Sequence, residues 1–338
     1  MIDFAQLESV IRRDPGGRGL ASYRDVEGRP LLAGQLERTV RGLKQAHARV
    51  LIVTGFAIIT DDGVRAETDG PPGAIHLAAM LQACGCEVSF AADRYASPLL
   101  RAGLSDAGII AEMIEFPIDS SREVAEERVT SWSQEFVTSE RFSAVVSIEH
   151  VGPSHTAESV TAEERAEFES LVPPEHRNVC HNMRGVNIDE VTAPLHLIFE
   201  PYRNAFVFGP PPPVTIGIID GGNEIGSGAI PWSTLRSAIA QGPGAITACR
   251  IPTKATIISG VSNWGAYALG AAVAASCGQR AAVETWTSEK QRRLIEAIVR
   301  DGGAVDGVTK RREATVDGLP LDEYLDVFED VRRICLAG

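Results

Sequence analysis

Short apolar runs rich in β-branched residues alternate with helical patterns over most of this chain. Because runs that are apolar at every position are typical of strands buried on both faces, they indicate parallel strands with helices between them. The sequence therefore predicts an α/β fold: a mostly parallel central sheet with helices on both faces, in a Rossmann-like three-layer architecture. The predicted strands are Val50–Phe56, Glu87–Ala91, Met113–Ile118, Ala144–Glu149, Val214–Ile219, Ile246–Ile251 and Thr256–Ile258.

The helical patterns suggest one main domain with an N-terminal addition. Residues 1–48 are predicted to form a helical arm, with helices over 2–13 and 31–47, that packs on a single α/β catalytic domain over 49–338. The proline-rich segment 208–213 is the candidate boundary if the domain has two lobes. Further helices are predicted at Ala74–Cys84, Ser121–Phe136, Thr161–Leu171, Trp264–Cys277, Ser288–Asp301 and Leu321–Leu336.

Composition and motifs exclude several classes of function. A formal net charge of −13 over 338 residues disfavours a nucleic-acid-binding surface, which needs a basic face. No P-loop motif occurs, and the glycines of 222–228 have the wrong spacing for the dinucleotide fingerprint. The charged N-terminus does not resemble a secretory signal, and no apolar run is long enough for a membrane span. We expect a cytoplasmic protein with a small-molecule amino-acid substrate and no nucleic-acid or membrane partner, with homo-oligomerisation left open.

The loop after the strand Val214–Ile219 is the strongest candidate site. It places Asp220, Asn223 and Glu224 among four glycines, directly after a buried strand. In α/β enzymes such loops fold around ligands at the carboxyl edge of the sheet. The alternative is an ordinary glycine-rich turn in which these side chains bond to their own backbone.

A second candidate loop follows the first strand and ends in Glu67 and Asp69, just before two prolines and a helix. Two carboxylates on a stiffened loop suit a general base, an ammonium anchor or a divalent ion. The alternative is that Asp69 only caps the helix.

Five further residues complete the list of candidates. Arg184 suits a carboxylate clamp but is equally consistent with a surface ion pair. Asn263 suits the edge of a site or a helix N-cap. Asp306, between glycines, is preferred over Asp317, and Arg18 and Asp317 are interpreted as turn residues. The remaining candidates for substrate binding are Lys254 and Thr309.

Several of these segments together resemble the D-glutamate cyclase family, specifically its C-terminal domain. The resemblance runs in order over roughly residues 14–320. It implies a hydro-lyase that converts D-glutamate to 5-oxo-D-proline and water. The motifs that carry it are ETDGPPGA (67–74), NMRG (182–185), IDGGNEIGSG (219–228), GVSNWGAYAL (260–269), GAVDGVTK (303–310) and TVDGLP (315–320).

This reaction assigns hypothetical roles to the candidate residues. Asp220 or Asp69 would be the base and ammonium anchor, and Glu224 the acid if neighbouring carboxylates raise its pKa. Arg184 would clamp the α-carboxylate, and Lys254 would be a spare anion contact. Asn223 and Asn263 would bind the oxyanion.

Two other functions use the same residues. One is a divalent-metal-dependent hydrolase or lyase on another small amino or hydroxy acid, with Mg²⁺ or Mn²⁺ bound by Asp69, Asp220 and Glu224. The other is a non-catalytic small-molecule binding protein. The metal-free cyclase requires no cofactor.

Overall fold

The computed structural model describes residues 1–43, 48–118, 121–138, 142–200, 212–240 and 242–338. Within these ranges the strands run, in chain order, as β1 (Arg49–Thr54), β2 (Ala57–Thr60), β3 (Gly63–Ala66), β4 (Glu87–Asp93), β5 (Glu112–Phe116), β6 (Ala144–Ile148), β7 (Val214–Ile219), β8 (Ala255–Ile258), β9 (Thr315–Val316) and β10 (Leu319–Pro320).

Six of these strands form one parallel sheet in the order β5-β4-β1-β6-β7-β8. The strand order reverses between β1 and β6, because the chain builds outward from β1 to β5 and then returns to the other side. In open α/β sheets, ligands bind beyond the carboxyl ends of the strands at such a reversal. The predicted Rossmann-like three-layer α/β fold is confirmed.

Helices cover both faces of this sheet. In chain order they are α1 (Phe4–Ile11), α2 (Gln35–Leu43), α3 (Pro71–Ala83), α4 (Ser97–Ala107), α5 (Arg122–Thr138), α6 (Arg165–Leu171), α7 (Trp232–Ala238), α8 (Gly244–Thr247), α9 (Ser262–Ser276), α10 (Arg280–Thr285), α11 (Ser288–Arg300) and α12 (Leu321–Ala337).

The alternation of side chains along β1 divides the core in two. Val50 and Ile52 belong to a large hydrophobic cluster with helices α3, α4, α9, α11 and α12, to which α1 and α2 also contribute. Leu51 and Val53 point to the opposite face and pack in a smaller cluster with α5 and the 3₁₀ turn Leu195–Ile198. Both faces of the strand are therefore buried, as expected for a parallel sheet.

Close contact between α3 and α9 fixes the position of their first turns. A Cβ atom at Gly73 would lie 2.8 Å from the Asn263 Oδ1 atom and 2.9 Å from the Ala266 Cβ atom. Only a glycine allows the two helices to approach this closely. The N-termini of both helices thus meet beside the carboxyl ends of β1, β6 and β7.

The predicted strand Ile246–Ile251 is wrong. Its first residues lie in the short helix α8, and the rest forms an irregular segment that packs against the loop after β7. Cys249 and Ile251 are fully buried by these contacts, so the run is apolar although it pairs with no strand of the main sheet. An apolar run alone does not distinguish a strand of the sheet from a buried irregular segment.

Other boundaries differ in smaller ways. The predicted helix over 31–47 begins only at Gln35, and the loop after β1 contains the β2–β3 hairpin. Helices α4, α7 and α10 were not predicted. Most of the proposed lobe boundary at 208–213 lies outside the described residues, and the division at residue 48 stays a prediction. In the parts of the chain described, no helix is both long and apolar enough to cross a bilayer.

Candidate functional site

Acidic side chains from separate loops meet at the carboxyl edge of the sheet. Glu149 directly follows β6 and Asp220 directly follows β7, while Asp69 precedes α3. All three are nearly inaccessible to solvent, with relative exposures of 6%, 2% and 1%. A Cβ atom at Gly70, which has a φ of 94°, would lie 2.7 Å from the Thr54 Oγ1 atom and 2.9 Å from the Glu149 Cβ atom. This glycine lets the Asp69 loop approach the ends of β1 and β6.

Asp69 is held by backbone amides at the first turn of α9. Its Oδ1 atom accepts hydrogen bonds from the amides of Asn263 (2.8 Å) and Gly70 (2.9 Å), and its Oδ2 atom accepts one from Ser262 (2.9 Å). The N-terminus of a helix carries partial positive charge, which favours a carboxylate there. Asp69 therefore caps α9 and not α3, the following helix that the alternative expected it to cap, and it also belongs to the acidic cluster.

Asn263 connects the two helix N-termini. Its Oδ1 atom accepts hydrogen bonds from the amides of Gly70 (3.0 Å) and Gly73 (2.7 Å), and its Nδ2 atom donates to the Thr68 carbonyl (3.1 Å). Both ends of the side-chain amide are thus used within the fold. The structure places Asn263 behind the cluster, where it positions the Asp69 loop.

Arg18 is the cation of the cluster. Its guanidinium contacts Asp220 at 2.5 Å and donates to both oxygens of Asp317 at 2.6 and 2.9 Å. The turn that presents Arg18 is fixed by Asp14, which accepts hydrogen bonds from the amides of residues 18 and 19. Asp220 Oδ2 also accepts a hydrogen bond from the Ser262 amide at 3.1 Å.

Glu149 differs from its neighbours in two ways. Its φ angle is 45°, in the left-handed region that residues with a Cβ atom rarely adopt. Its Oε2 atom is buried and has no hydrogen-bond partner among the described residues. Backbone strain and an unsatisfied buried oxygen each cost free energy, and such costs concentrate at functional sites.

One carboxylate oxygen from each of Asp69, Glu149 and Asp220 lies within 4.8 Å of the others. This buried triad could hold a metal ion, since hard divalent ions bind clustered carboxylates. Glu149 occupies the place that the sequence assigned to Glu224. Within the described ranges, these three are the group whose geometry suits a metal.

Burial is the main cause of the shifted pKa values in this cluster. It raises the pKa of Asp220 to about 7 and that of Asp317 to about 6, against the lowering effect of Arg18 on both. The pKa of Glu149 is raised well above its usual range. Burial is the largest cause, and the negative charges of Asp220 and Glu224 raise it further. The pKa of Glu67 is likewise raised, first by burial and then by Asp317. The cluster thus takes up protons or cations readily.

A cavity of about 460 Å³ opens above these carboxylates. Glu67, Glu149 and Asp220 line its acidic floor together with Arg18, and Arg184 and Lys310 add positive charge to its lining. The Arg184 side chain is exposed, and Lys310 Nζ donates to the Ile59 carbonyl at 3.0 Å. The remaining lining residues are Phe56, Ile58, Ile59, Asn182, Met183, Gly242, Pro243, Gly307 and Val308.

The other residues predicted for the site do not line this cavity. Glu224 accepts hydrogen bonds from the amides of Gly221 and Gly222, both at 2.7 Å, so it holds its own loop. Asn223 donates from Nδ2 to the His181 carbonyl at 2.9 Å. Glu224 therefore matches the alternative of a side chain bonded to its own loop. Asn223 does not, because it binds a distant segment and its buried Oδ1 atom has no hydrogen-bond partner among the described residues.

The loop over 303–318 shows the same pattern. Asp306 accepts hydrogen bonds from the amides of Val308, Thr309 and Gly318 and from the Thr315 hydroxyl. Thr309 itself is exposed and donates to Glu313 at 2.6 Å. These two residues organise the loop that carries Lys310 and Asp317 to the site.

Lys254 is exposed and lies just before β8, at the amino edge of the sheet. It was placed near the site because a strand was predicted before it. Without that strand, Lys254 is on the opposite edge from the carboxylate cluster.

Sequence reasoning did not select four residues that the structure brings to the site: Arg18, Glu149, Lys310 and Asp317. For Glu149 a signal was present, because it follows a fully buried strand as Asp220 does. For the other three, no local pattern separates them from ordinary turn residues.

Comparisons with known proteins agree with this architecture. The family profile described as "D-glutamate cyclase-like, C-terminal" matches residues 7–166 and 172–332. The human protein "D-glutamate cyclase, mitochondrial" is 30% identical over 272 residues, which cover 79% of this chain. The match covers only 38% of the human protein, so this chain corresponds to part of that relative. The chain belongs to the D-glutamate cyclase-like C-terminal family.

Proposed function

We propose that this chain is a lyase that converts D-glutamate to 5-oxo-D-proline and water, as the name of its human relative suggests. The observation that carries the proposal is the charge layout of the cavity. Its acidic floor suits an ammonium group, while Arg184 and Lys310 suit carboxylates. An amino acid with two carboxylates matches this arrangement, and so does the cavity volume of about 460 Å³.

The reaction forms a bond between the amine nitrogen and the γ-carboxyl carbon. Two of the three ammonium protons leave with one γ-carboxylate oxygen as water, and the third stays on the lactam nitrogen. A folded substrate brings the two groups together, and well-oriented intramolecular reactions reach effective molarities on the order of 10⁵ M or more. The fixed cavity would supply this orientation.

Asp220 is our first candidate for the proton acceptor and ammonium anchor. It lines the cavity, and its pKa of about 7 is suited to general base catalysis near neutral pH. Arg18 and the Ser262 amide hold its Oδ2 atom in place. Asp69 lies behind it, and we propose that it supports the cluster from the helix N-terminus. Glu224 is proposed to hold the loop that carries Asp220.

A second candidate function is a divalent-metal-dependent hydrolase or lyase on another small amino or hydroxy acid. The triad of Asp69, Glu149 and Asp220 favours it, with Mg²⁺ or Mn²⁺ as the ion. Loss of turnover with a chelator, restored by either ion, would distinguish it from a metal-free cyclase. A cytoplasmic location and homo-oligomerisation stay predictions.

The test is turnover of D- and L-glutamate, followed as loss of one water by mass spectrometry. We expect turnover of the D isomer, and a decrease of roughly 10²- to 10⁴-fold in Asp220→Asn, because the variant removes a charged group from the reacting site. Asp106→Asn, which changes an exposed carboxylate on α4, is the matched control. Recovery of both isomers unchanged from the wild type, with and without Mn²⁺, would refute the proposal.

A further inference from the structure

Negative charge exceeds positive charge at the buried edge of the sheet. Five carboxylates contribute, with side chains at most a few per cent exposed, and the cation placed among them by the structure is Arg18. If all were ionised, the described cluster would carry four uncompensated negative charges. Buried unpaired carboxylates cost several kcal/mol each, so the cluster must bind either protons or further positive partners. The five are Glu67, Asp69, Glu149, Asp220 and Asp317.

Glu149 indicates where one such partner binds. Its Oε2 atom is buried without a hydrogen-bond partner among the described residues, although the residue faces the cavity. Its backbone is held at a φ of 45°. A glutamate that is both strained and unsatisfied is costly unless something absent from the protein itself binds to it.

The separation of the three carboxylates suits a single ion. Their oxygens lie within 4.8 Å of one another. Oxygen ligands stand about 2.1 Å from Mg²⁺, so two ligands of one ion are about 3–4 Å apart. Small side-chain rotations of Asp69, Glu149 and Asp220 would bring them to this separation.

We propose that Asp69, Glu149 and Asp220 bind one hard divalent cation, Mg²⁺ or Mn²⁺. The all-oxygen donor set favours these ions over zinc, which prefers nitrogen and sulfur. Glu149 is the third ligand because it belongs to the triad and lines the cavity, whereas Glu224 does neither. The site is inferred from the carboxylates alone and does not depend on the identity of the substrate.

A bound cation changes the division of roles among the carboxylates. Asp220 would then be a ligand of the ion rather than a free proton acceptor. Glu67 lines the same cavity, is 5% exposed, and lies outside the triad. Asp220→Asn would reduce turnover in either case.

The test is Mn²⁺ binding to the full chain, measured by electron paramagnetic resonance of free Mn²⁺. We expect one Mn²⁺ per chain in the wild type and affinity lower by roughly 10- to 100-fold or more in Glu149→Gln, since even residues behind the ligands often contribute this much. Glu67→Gln is the matched control, a buried cavity carboxylate outside the triad. It should lower the affinity by less than about fivefold, because it removes only a nearby charge.

Thermal unfolding without metal confirms that both variants fold. Wild-type affinity in Glu149→Gln, or no binding to the wild type at millimolar Mn²⁺, would overturn the proposal. Turnover of D-glutamate is measured on the same samples. Mn²⁺ binding without turnover would retain the metal site and remove the proposed substrate, so the two failures are distinct.

Discussion

Glu149 and Glu224 are buried glutamates near the same edge of the sheet, yet they have opposite surroundings. Glu224 sits in a glycine-rich loop, where two amides of that loop bind its oxygens at 2.7 Å. Glu149 follows β6 directly, faces the cavity and has an oxygen without a partner among the described residues. A glycine-rich loop can turn its backbone amides toward a carboxylate of the same loop and donate hydrogen bonds to it. A carboxylate among glycines can therefore have a structural role as readily as a catalytic one.

Asp306 and Asp317 show the same difference. Asp306, between glycines, accepts four hydrogen bonds from its own loop. Asp317 instead pairs with Arg18 from the other end of the chain. In both pairs, the residue favoured by sequence pattern holds a loop, and its neighbour reaches the site.

Of the substitutions considered, Glu224→Ala should have the largest effect on stability, because Glu224 holds its own loop. Glu224→Ala leaves the amides of Gly221 and Gly222 buried without their partner, and we expect the free energy of unfolding to fall by about 2–4 kcal/mol. Glu149→Gln should leave it unchanged or raise it, because the variant removes a buried charge and loses no described hydrogen bond of Oε2. Urea denaturation measures both. An equal loss in the two variants would contradict the distinction between them.

Asp93 is another buried carboxylate at the end of a strand, and it should make the stability of the fold depend on pH. Asp93 ends β4 and accepts hydrogen bonds from the amides of Tyr95 and Ala96, and burial raises its pKa to about 6. In the unfolded chain an Asp side chain has a pKa of about 3.9. Between about pH 4 and 6, therefore, Asp93 is mostly protonated in the folded state and mostly ionised in the unfolded state. The stabilisation is complete below about pH 4 and is lost as pH rises through about 6, a change on the order of 2–3 kcal/mol.

Asp93→Asn should remove this part of the pH dependence, because its side chain does not titrate. Unfolding free energies of the wild type and the variant at several pH values between about 4 and 8 measure the difference. A constant difference between the two proteins over that range would show that Asp93 does not titrate as described.

Lys254→Ala should have the smallest effect. The side chain is exposed at the amino edge of the sheet, away from the carboxylate cluster. We expect the free energy of unfolding to change by less than about 0.5 kcal/mol and KM for D-glutamate to stay the same. A severalfold rise in KM would show that Lys254 takes part in substrate binding, and would contradict its placement at the edge of the sheet opposite the site.

The sequence predicts the fold better than the site, and the reason is physical. Apolar periodicity reports burial directly, so all six strands of the parallel sheet and the longest helices were predicted. It does not report what buries a run, which is why Ile246–Ile251 was assigned to a strand. Glu67, Asp69 and Asp220 were selected because they occupy loops at a strand end or a helix start, and Arg184 because it stands beside a glycine in a non-periodic segment. Three of these four, all except Asp69, line the cavity. Arg18 and Asp317 depend on contacts between distant segments, which no local pattern reveals.

The ion pairs of Arg18 join residues that are 202 and 299 positions apart in the chain. Contacts of such long range form only after most of the intervening chain has collapsed, since closing large loops is entropically costly. During synthesis, a nascent polypeptide that has not yet reached residue 317 lacks the Asp317 partner altogether. The acidic centre is therefore completed only when the segments that carry Arg18, Asp220 and Asp317 have come together.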